Sequence, residues 1–349
     1  MSLSLDVIEG RYLSDLLSQP PALSATWRKL RASNAPEGIA KLRDSRRFER
    51  VVLTGMGSSY FGLHPLCIQL AEHGWTPLML ETSELIHFYP HLLTPTTLVV
   101  AVSQSGQSAE TVRLLELNGG RSPLIGVTNN VSGALAEHAS VTVLTDAGDE
   151  YSVSCKTYVS ALMALQVAGA ALCGLDVAQC LRGLEEAGET VESYLRGWKS
   201  HVLEYCDLLR DVRDMFLVGR GPSLAAASTG ALIVKESAHF HAEAMSSAAF
   251  RHGPFEMFGP ETFVGVFAGG ERTRAMSERL VDDIQRCEAK SVLFSSRARH
   301  PACRLPEVSE PLQPIVEILP VQMMTLALGS ITNREPGVFR RGTKVTAVE

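Results

Sequence analysis

The sequence predicts an α/β protein of two tandem domains, each a doubly wound, mostly parallel sheet flanked by helices. The chain has 349 residues, which is too long for one ordinary core and suits two domains of about 150 residues. Its candidate strands are short, continuous apolar runs separated by stretches of helical period, as a parallel sheet buried on both faces requires. The same order of runs then occurs twice.

The candidate strands of the first half are four apolar runs. They occupy residues 51–55, 98–102, 124–128 and 141–144. The segment 109–117, between the second and third runs, has helical period. This alternation predicts parallel strands with helical connections.

The second half repeats this order at an offset of about 165 residues. Its runs occupy residues 215–219, 263–267, 292–294 and 315–319. A repeat of this length indicates duplicated domains and not a solenoid. The expected organisation is a helical segment over 1–45, domains over 46–195 and 196–330, and a tail over 331–349.

The composition argues against nucleic-acid and membrane partners. A formal net charge of −6 leaves no excess of Lys and Arg for a polyanion. The seven cysteines are scattered without a Cys-x-x-Cys pair, so we expect reduced thiols and a cytoplasmic protein. Residues 1–17 lack the continuous apolar core of a signal peptide. The most apolar stretch, 158–175, predicts a buried helix, so we expect no membrane span.

The two copies differ where a ligand should bind, beyond the carboxyl ends of the strands. In the first copy, Gly57-Ser58-Ser59 follows one strand and Ser103-Gln104-Ser105-Gly106-Gln107-Ser108 follows the next. The corresponding loops of the second copy, 219–223 and 268–272, keep glycines but lose most of the hydroxyls. The first copy is therefore the predicted phosphate-binding domain.

A phosphate dianion can be held by converging backbone N–H groups at a helix N-terminus together with short hydroxyls. Ser103, Ser105 and Ser108 supply the hydroxyls. Gly106 permits close approach of the backbone, and the helix that follows directs its positive end at the site. The alternative is that these residues only cap a helix after a strand. Ser59 favours phosphate because it can close the same cradle.

A dinucleotide site is disfavoured. The turn Gly55-Met56-Gly57-Ser58-Ser59-Tyr60 lacks the third glycine of the dinucleotide fingerprint, and no acidic residue ends the second strand. We expect no cofactor.

Four segments carry a family resemblance. They are 103–108, 235–244, Arg251-His252-Gly253-Pro254 and 344–349. On these motifs the chain is identified as a member of the double-SIS-domain (sugar isomerase) phosphosugar isomerases, and it resembles the isomerase domain of glucosamine-6-phosphate synthase over nearly its whole length. The resemblance implies two tandem SIS domains, a phosphorylated sugar or amino-sugar substrate, and a homodimer or higher homo-oligomer with a shared active site.

The resemblance also implies site residues. Those matching the sugar-phosphate binders are Ser59, Ser103, Gln104, Ser105 and Ser108. Further substrate contacts are implied at Gly57, Ser58, Ser154 and Lys235. Ser108 stands where the family commonly has Thr.

The implied catalytic residues are Glu236, His252 and Lys344. Glu236 matches the base that moves a proton between C1 and C2, which must be one carboxylate close to both carbons. His252 matches the group that opens the sugar ring, in the family from a neighbouring subunit, and histidine exchanges protons near neutral pH. Lys344 matches a Schiff-base lysine on a tail that closes over the active site. The alternatives are a surface glutamate for Glu236 and a solvated tail lysine for Lys344.

A metal site is also conceivable from His239, His241 and Glu243. This spacing is weak without a further ligand set, so we interpret the three as packing and interface residues and expect no metal.

Two departures from the synthase limit the predicted function. The chain begins Met1-Ser2-Leu3-Ser4 where the synthase has a glutaminase domain with a leading cysteine, so we expect neither that domain nor glutaminase activity. Ile233 stands where the synthase has a lysine three residues before its glutamate, which disfavours amino transfer. Lys235 is retained.

The leading hypothesis is a phosphosugar isomerase or deaminase acting on a C6-phosphorylated amino sugar or fructosamine by C1/C2 proton transfer. A fructosamine-6-phosphate-type deglycase and a plain aldose–ketose phosphate isomerase are alternatives. A non-catalytic sugar-phosphate-binding regulator is a third, disfavoured because residues 1–50 show no helix-turn-helix.

Overall fold

A computed structural model of the chain describes residues 5–45, 47–257 and 259–344. These residues form two compact units. The first, here the N-lobe, consists of Pro21–Glu150, Lys156–Glu186 and the segment from Gly342. The second, the C-lobe, consists of the segment up to Pro20, Tyr151–Cys155 and Ala187–Arg341.

The N-lobe contains a five-stranded parallel sheet within the described residues, in the order β2-β1-β3-β4-β5. Its strands are β1 (Arg50–Gly55), β2 (Pro77–Glu81), β3 (Thr97–Val102), β4 (Leu124–Thr128) and β5 (Val141–Leu144). The inner strands β3 and β4 are buried at every residue. This burial on both faces explains why their sequences are continuous apolar runs.

The C-lobe sheet repeats this order with four parallel strands in the described part of the chain, β7-β6-β8-β9. The strands are β6 (Asp214–Gly219), β7 (Ala242–Ser246), β8 (Thr262–Phe267) and β9 (Lys290–Phe294). The predicted class, α/β with two repeats of a doubly wound parallel sheet, is confirmed.

Helices flank both sheets and connect their strands. In chain order they are α1 (Arg11–Leu17), α2 (Gln19–Arg31), α3 (Ala35–Ser45), α4 (Ser58–Phe61), α5 (His64–Glu72), α6 (Thr82–Phe88), α7 (Ala109–Asn118), α8 (Ala134–His138), α9 (Lys156–Cys173), α10 (Val177–Leu195), α11 (Trp198–Leu208), α12 (Leu224–Ala238), α13 (Ser247–Arg251), α14 (Arg274–Gln285) and α15 (Gln313–Thr332).

The strand predicted over 315–319 is wrong, because these residues lie inside α15. Ile315, Ile318 and Leu319 are at most 1% exposed. A helix buried on all sides has no polar face, so its sequence shows no 3.6-residue period to distinguish it from a buried strand.

Two strands were missed, and both lie at the edge of a sheet. β2 starts at a proline, and β7 carries Glu243 near its start. Both strands are largely half-buried, unlike the inner strands. An edge strand needs only part of its surface to be apolar, so the apolar-run criterion overlooks it.

Two helical segments are long and apolar enough to cross a membrane by length and composition. They are Lys156–Cys173, which is α9, and Glu310–Thr332, which contains α15. In each, 89% of the apolar window is buried inside the protein. The helix predicted over 158–175 is therefore a core helix of its lobe.

Candidate functional site

The N-lobe strand order places a switch point between β1 and β3, where the connections leave to opposite sides of the sheet. The two strands pair in register so that Gly55 lies opposite Val102. The turn after β1 and the loop after β3 therefore start side by side. Ligands of doubly wound sheets bind in the crevice at such a point.

Glycines make this close approach possible. A Cβ added at Gly55 would lie 3.0 Å from the carbonyl oxygen of Val102 and equally close to the backbone of Ser59. Gly57 has a φ of 52° and directly precedes the short helix α4, which starts with Ser58 and Ser59. Both serines are half-buried.

The loop 103–108 is stabilised by its own hydroxyls. Ser103 Oγ accepts a hydrogen bond from the N–H of Gly106 at 3.2 Å, and Ser105 Oγ accepts one from Gln107 at 3.2 Å. Gly106 adopts a φ of 64°, which an L-residue disfavours. A hydroxyl that accepts from an N–H keeps its own proton to donate. The serines can therefore brace the loop and still donate to an anion.

Ser108 is the N-cap residue of α7. Its Oγ accepts from the N–H of Thr111 at 3.4 Å and lies 2.9 Å from Thr111 Oγ1. The positive end of the helix dipole therefore lies at this loop. The capping alternative considered from the sequence holds for Ser108, and it is compatible with an anion site at the same helix end.

The carbonyl groups of the loop are engaged by the last residue of β4 and by residues that follow it. Thr128 Oγ1 donates to the oxygen of Gln104 at 3.3 Å, and Asn130 Nδ2 donates to that of Ser105 at 3.0 Å. The oxygen of Gly106 accepts from the N–H of Leu135 at 3.1 Å. Carbonyl oxygens held in this way are directed at residues 128–135, which suits an anion site because a free carbonyl would repel a phosphate.

Lys344 lies in the same lobe as this loop. Its Nζ is 2.5 Å from Oε2 of Glu150, whose side chain has no solvent exposure. Glu150 also binds the first turn of α9, because Oε1 accepts from the N–H of Thr157 at 3.1 Å and Oε2 from its hydroxyl at 2.5 Å. The tail lysine is thus an ion-pair partner of a buried helix-capping carboxylate and not a solvated side chain.

The C-lobe holds the remaining predicted residues. Glu236 is half-buried near the end of α12. Lys235 is exposed, and its Nζ lies 4.0 Å from Oε1 of Glu243 on β7, a loose surface ion pair. Ile233 is fully buried. In this chain the position that is lysine in the synthase is therefore filled by a core side chain.

A buried tyrosine lies beside Glu236. Tyr12 is 1% exposed, and its hydroxyl lies 3.1 Å from Thr325 Oγ1. Burial raises the pKa of the Tyr12 phenol, and the nearby negative charges, that of Glu236 among them, raise it further. Tyr12 therefore stays protonated next to the carboxylate.

His252 and Ser154 complete the predicted set. His252 is exposed at the end of α13 and is followed by Gly253, whose φ of 129° only glycine adopts readily. Ser154 is half-buried in the segment Tyr151–Cys155. The N-lobe thus contains the two serine-rich turns, which start side by side, and Lys344, whereas Ser154, Lys235, Glu236 and His252 belong to the C-lobe.

The histidine-rich stretch after α12 forms ion pairs. His241 Nδ1 lies 3.0 Å from Asp214 Oδ1, and its Nε2 lies 3.6 Å from Glu243 Oε1. Among the described residues no group of three or more His, Cys, Asp or Glu side chains is arranged to hold a metal.

Sequence reasoning missed Glu150, Thr128, Asn130 and Tyr12. A glutamate shortly before an apolar helical run signals a possible cap, so Glu150 could have been noticed. Its pairing with a lysine 194 residues away has no local signal. Thr128 ends the predicted strand 124–128 and Asn130 follows it. Asparagine is typical of turns in general, so neither residue pointed to the loop.

The comparisons with known proteins agree with this architecture. The SIS domain model matches residues 42–171 and 208–329. The glutamine–fructose-6-phosphate aminotransferase (isomerizing) of Pyrococcus horikoshii is 30% identical over 352 residues, covering 97% of this chain and 57% of that protein. The chain thus spans little more than half the length of this relative.

Two solved structures show the same fold. The C-terminal domain of glucosamine-fructose-6-phosphate aminotransferase from Francisella tularensis superposes with a TM-score of 0.83 at 20% identity, covering 96% of this chain and 99% of that one. Tagatose-6-phosphate ketose/aldose isomerase from Escherichia coli gives 0.79 at 19% identity, covering 93% of each chain. Because the SIS domain family model matches most of both lobes, the chain belongs to the SIS domain family.

Proposed function

We propose that the chain is a phosphosugar isomerase-type enzyme that acts on a C6-phosphorylated amino sugar or fructosamine by moving a proton between C1 and C2. The observation that carries this proposal is the loop 103–108. It lies at the switch point of the N-lobe sheet, its carbonyls are engaged elsewhere, and its serine hydroxyls retain protons to donate.

The phosphate is anchored without a cationic side chain in the loop, since 103–108 contains none. The hydroxyls of Ser103, Ser105 and Ser108 donate hydrogen bonds to the phosphate. Backbone N–H groups at the start of α7 donate further ones, and the positive end of the helix dipole favours the anion. Ser59 closes the cradle from the neighbouring turn. Anchoring at C6 leaves C1 and C2 of an open-chain sugar free to reach catalytic groups.

Glu236 is the proposed base. A single carboxylate takes a proton from one carbon and returns it to the adjacent one, so one base serves both carbons. Half-burial of Glu236 favours this role over that of a fully solvated surface glutamate. The exposed His252 would open the ring, and its exposure suits a residue that reaches the site of a second copy of the chain.

Lys344 is proposed to form a Schiff base with the open-chain ketose. A protonated ammonium cannot attack a carbonyl, so Lys344 must first lose a proton. Glu150 Oε2 lies at hydrogen-bond distance and can accept that proton. The same ion pair holds Lys344 on the N-lobe.

A plain aldose–ketose isomerase is the second candidate. It is favoured by the fully buried Ile233 and by the pairing of Lys235 with Glu243, which leave fewer cations to handle a nitrogen-bearing carbon. The deaminase and deglycase hypotheses differ from it only in what leaves after proton transfer.

The test separates these outcomes. The protein is incubated in D₂O with glucosamine 6-phosphate, fructose 6-phosphate and a fructosamine 6-phosphate, and each sugar is followed by NMR. Deuterium at C1 or C2 is expected with at least one of them, with release of ammonia or of the free amine identifying deaminase or deglycase. Isomerisation of fructose 6-phosphate alone would identify the plain isomerase. No deuterium incorporation with any of the three would overturn the proposal.

A further inference from the structure

The C-lobe has its own cavity, of about 220 Å³, beyond the carboxyl ends of β8 and β9. It is lined by the loop after β8, the start of α14, the residues after β9 and the segment leading into α15. All of these belong to one lobe. Its volume is below the ~300–1,000 Å³ of drug-sized sites, so only a small ligand fits.

This cavity occupies the place that corresponds to the phosphate loop of the N-lobe. In both lobes six residues separate the strand from the helix, namely 103–108 and 268–273. Gly270 stands in the position of Ser105. A Cβ added at Gly270 would overlap the carboxyl group of Glu310, which packs directly on this glycine. A carboxylate therefore lies against the turn where the first lobe offers hydroxyls, and it repels a phosphate.

The deep end of the cavity holds polar atoms that lack partners. Glu317 is 4% exposed, and its Oε1 accepts from Ser223 Oγ at 2.8 Å. Its Oε2, like Oε1 of the half-buried Gln313, has no hydrogen-bond partner among the residues that the structure describes. Burial raises the pKa of Glu317 to about 8, and the charge of Glu310 adds to the rise. Glu317 is thus largely neutral near pH 7 and can donate as well as accept.

The charges around the cavity favour a cation. Its lining carboxylates Glu271, Glu278, Glu307 and Glu310 outnumber Arg274 and Arg297. Arg274 lies 3.5 Å from Glu271, and Glu307 accepts from Ser296 at 2.9 Å. In the described residues Glu310 has no cationic partner. An ammonium group would supply the missing charge.

We propose that this cavity binds a small hydroxylated amine, such as an unphosphorylated amino sugar, with its ammonium on Glu310 and its hydroxyls on Gln313 and Glu317. The two lobes then divide their ligands by charge. The N-lobe loop takes an anion, and the equivalent C-lobe crevice takes a cation.

Binding of free glucosamine to the full chain, measured by isothermal titration calorimetry near neutral pH, tests this proposal. We expect saturable binding of glucosamine, with glucose and N-acetylglucosamine, which lack the ammonium, binding at least about tenfold more weakly. Glu310→Gln should weaken glucosamine binding by at least about tenfold. Asp282→Asn removes an exposed carboxylate of the same helix α14 that does not line the cavity, so it is the matched control and should bind as the unchanged chain does.

Inorganic phosphate serves as the second probe. Glu310→Gln should leave its binding to the N-lobe unchanged, which also shows that the variant is folded. If that variant does not fold, Gln313→Ala replaces it with the same expectation. Absence of saturable glucosamine binding, equal binding by the Glu310 or Gln313 variant, or displacement of glucosamine by phosphate would each overturn the proposal.

Discussion

Nζ of Lys344 lies 2.5 Å from Oε2 of Glu150, a carboxylate that is fully buried and also caps helix α9. The tail is thereby tied to the lobe that carries the serine-rich loop. The contact gives Lys344 two separable properties: it stabilises the lobe as an ammonium ion, and it is the proposed nucleophile as an amine.

Lys344→Arg and Lys344→Met separate these properties. Arginine keeps the positive charge for Glu150, so we expect thermal stability close to that of the unchanged chain. It cannot form a Schiff base with a ketose, so trapping by borohydride in the presence of fructose 6-phosphate should disappear. Methionine should lose the trapping and also about 1.5–3 kcal/mol of stability, the typical contribution of a hydrogen bond to a charged group. Continued trapping in Lys344→Arg would exclude the Schiff base at this residue.

Glu236→Gln should lower turnover by about 10²–10⁴-fold, because the amide cannot accept a proton from carbon. Binding of the sugar phosphate should stay within a few-fold, since the proposed phosphate-binding loop belongs to the other lobe. The measurements are deuterium incorporation for the chemical step and calorimetry for binding. Glu243→Gln, which removes the partner of Lys235 on the surface, is the control. Normal deuterium exchange in Glu236→Gln would assign the proton transfer to another group.

Gly106→Ala should weaken phosphate binding. The φ of 64° costs alanine roughly 1–2 kcal/mol, and its Cβ would lie 3.1 Å from Thr128 Oγ1, a group that holds the loop. Gly120→Ala is the matched control, since Gly120 has a φ of 75° and no atom within 4 Å of the added Cβ. Both variants should lose similar stability, but only Gly106→Ala should bind inorganic phosphate more weakly in calorimetry. Equal phosphate affinity in the two variants would remove the loop from the anion site.

His252→Ala tests a site shared between copies of the chain. His252→Ala and Glu236→Gln should each be nearly inactive. If His252 acts on the neighbouring subunit, mixing the two after subunit exchange should restore about a quarter of the activity, because random pairing creates one complete site in each mixed dimer. A mixture that stays inactive although sedimentation shows exchanged dimers would place His252 in its own subunit's site or outside the chemistry.

Glu317 should make stability depend on pH. Its folded-state pKa is raised from 4.5 to about 8, mainly by burial, so the folded chain holds a proton that the unfolded chain has lost over that window. The stability from this group is fully present below pH 4.5 and is lost as the pH rises toward about 8. Glu317→Gln stays neutral throughout. Thermal unfolding between about pH 5 and 9 should show the unchanged chain losing stability relative to Glu317→Gln. Parallel pH profiles would contradict the assignment.

Much of the geometry of the loop 103–108 was predictable because its information is local. Ser103, Ser105, Gly106 and Ser108 follow a strand and start a helix, and a parallel sheet brings the carboxyl ends of its strands to one edge. The turn at Gly57 was predictable for the same reason. The hydroxyls that brace the loop are the hydroxyls that the sequence assigned to it.

The edge strands and α15 were not predictable in the same way. The run 315–319 is apolar whether it forms a strand or a buried helix, and only its packing in the C-lobe decides between them. β2 and β7 contain polar residues because one side of each lies at a sheet edge. Burial, which depends on the whole fold, determined these elements.

The sequence by itself determined the duplicated α/β architecture, the lobe with the hydroxyl-rich loops and the set of candidate catalytic residues, because strand runs, turn glycines and family motifs are each contained in a few consecutive residues. Only the tertiary structure decided that Lys344 meets Glu150 and that Glu310 packs on Gly270. These pairs are far apart along the chain, and a contact between distant residues depends on how the intervening elements pack, which no local pattern encodes.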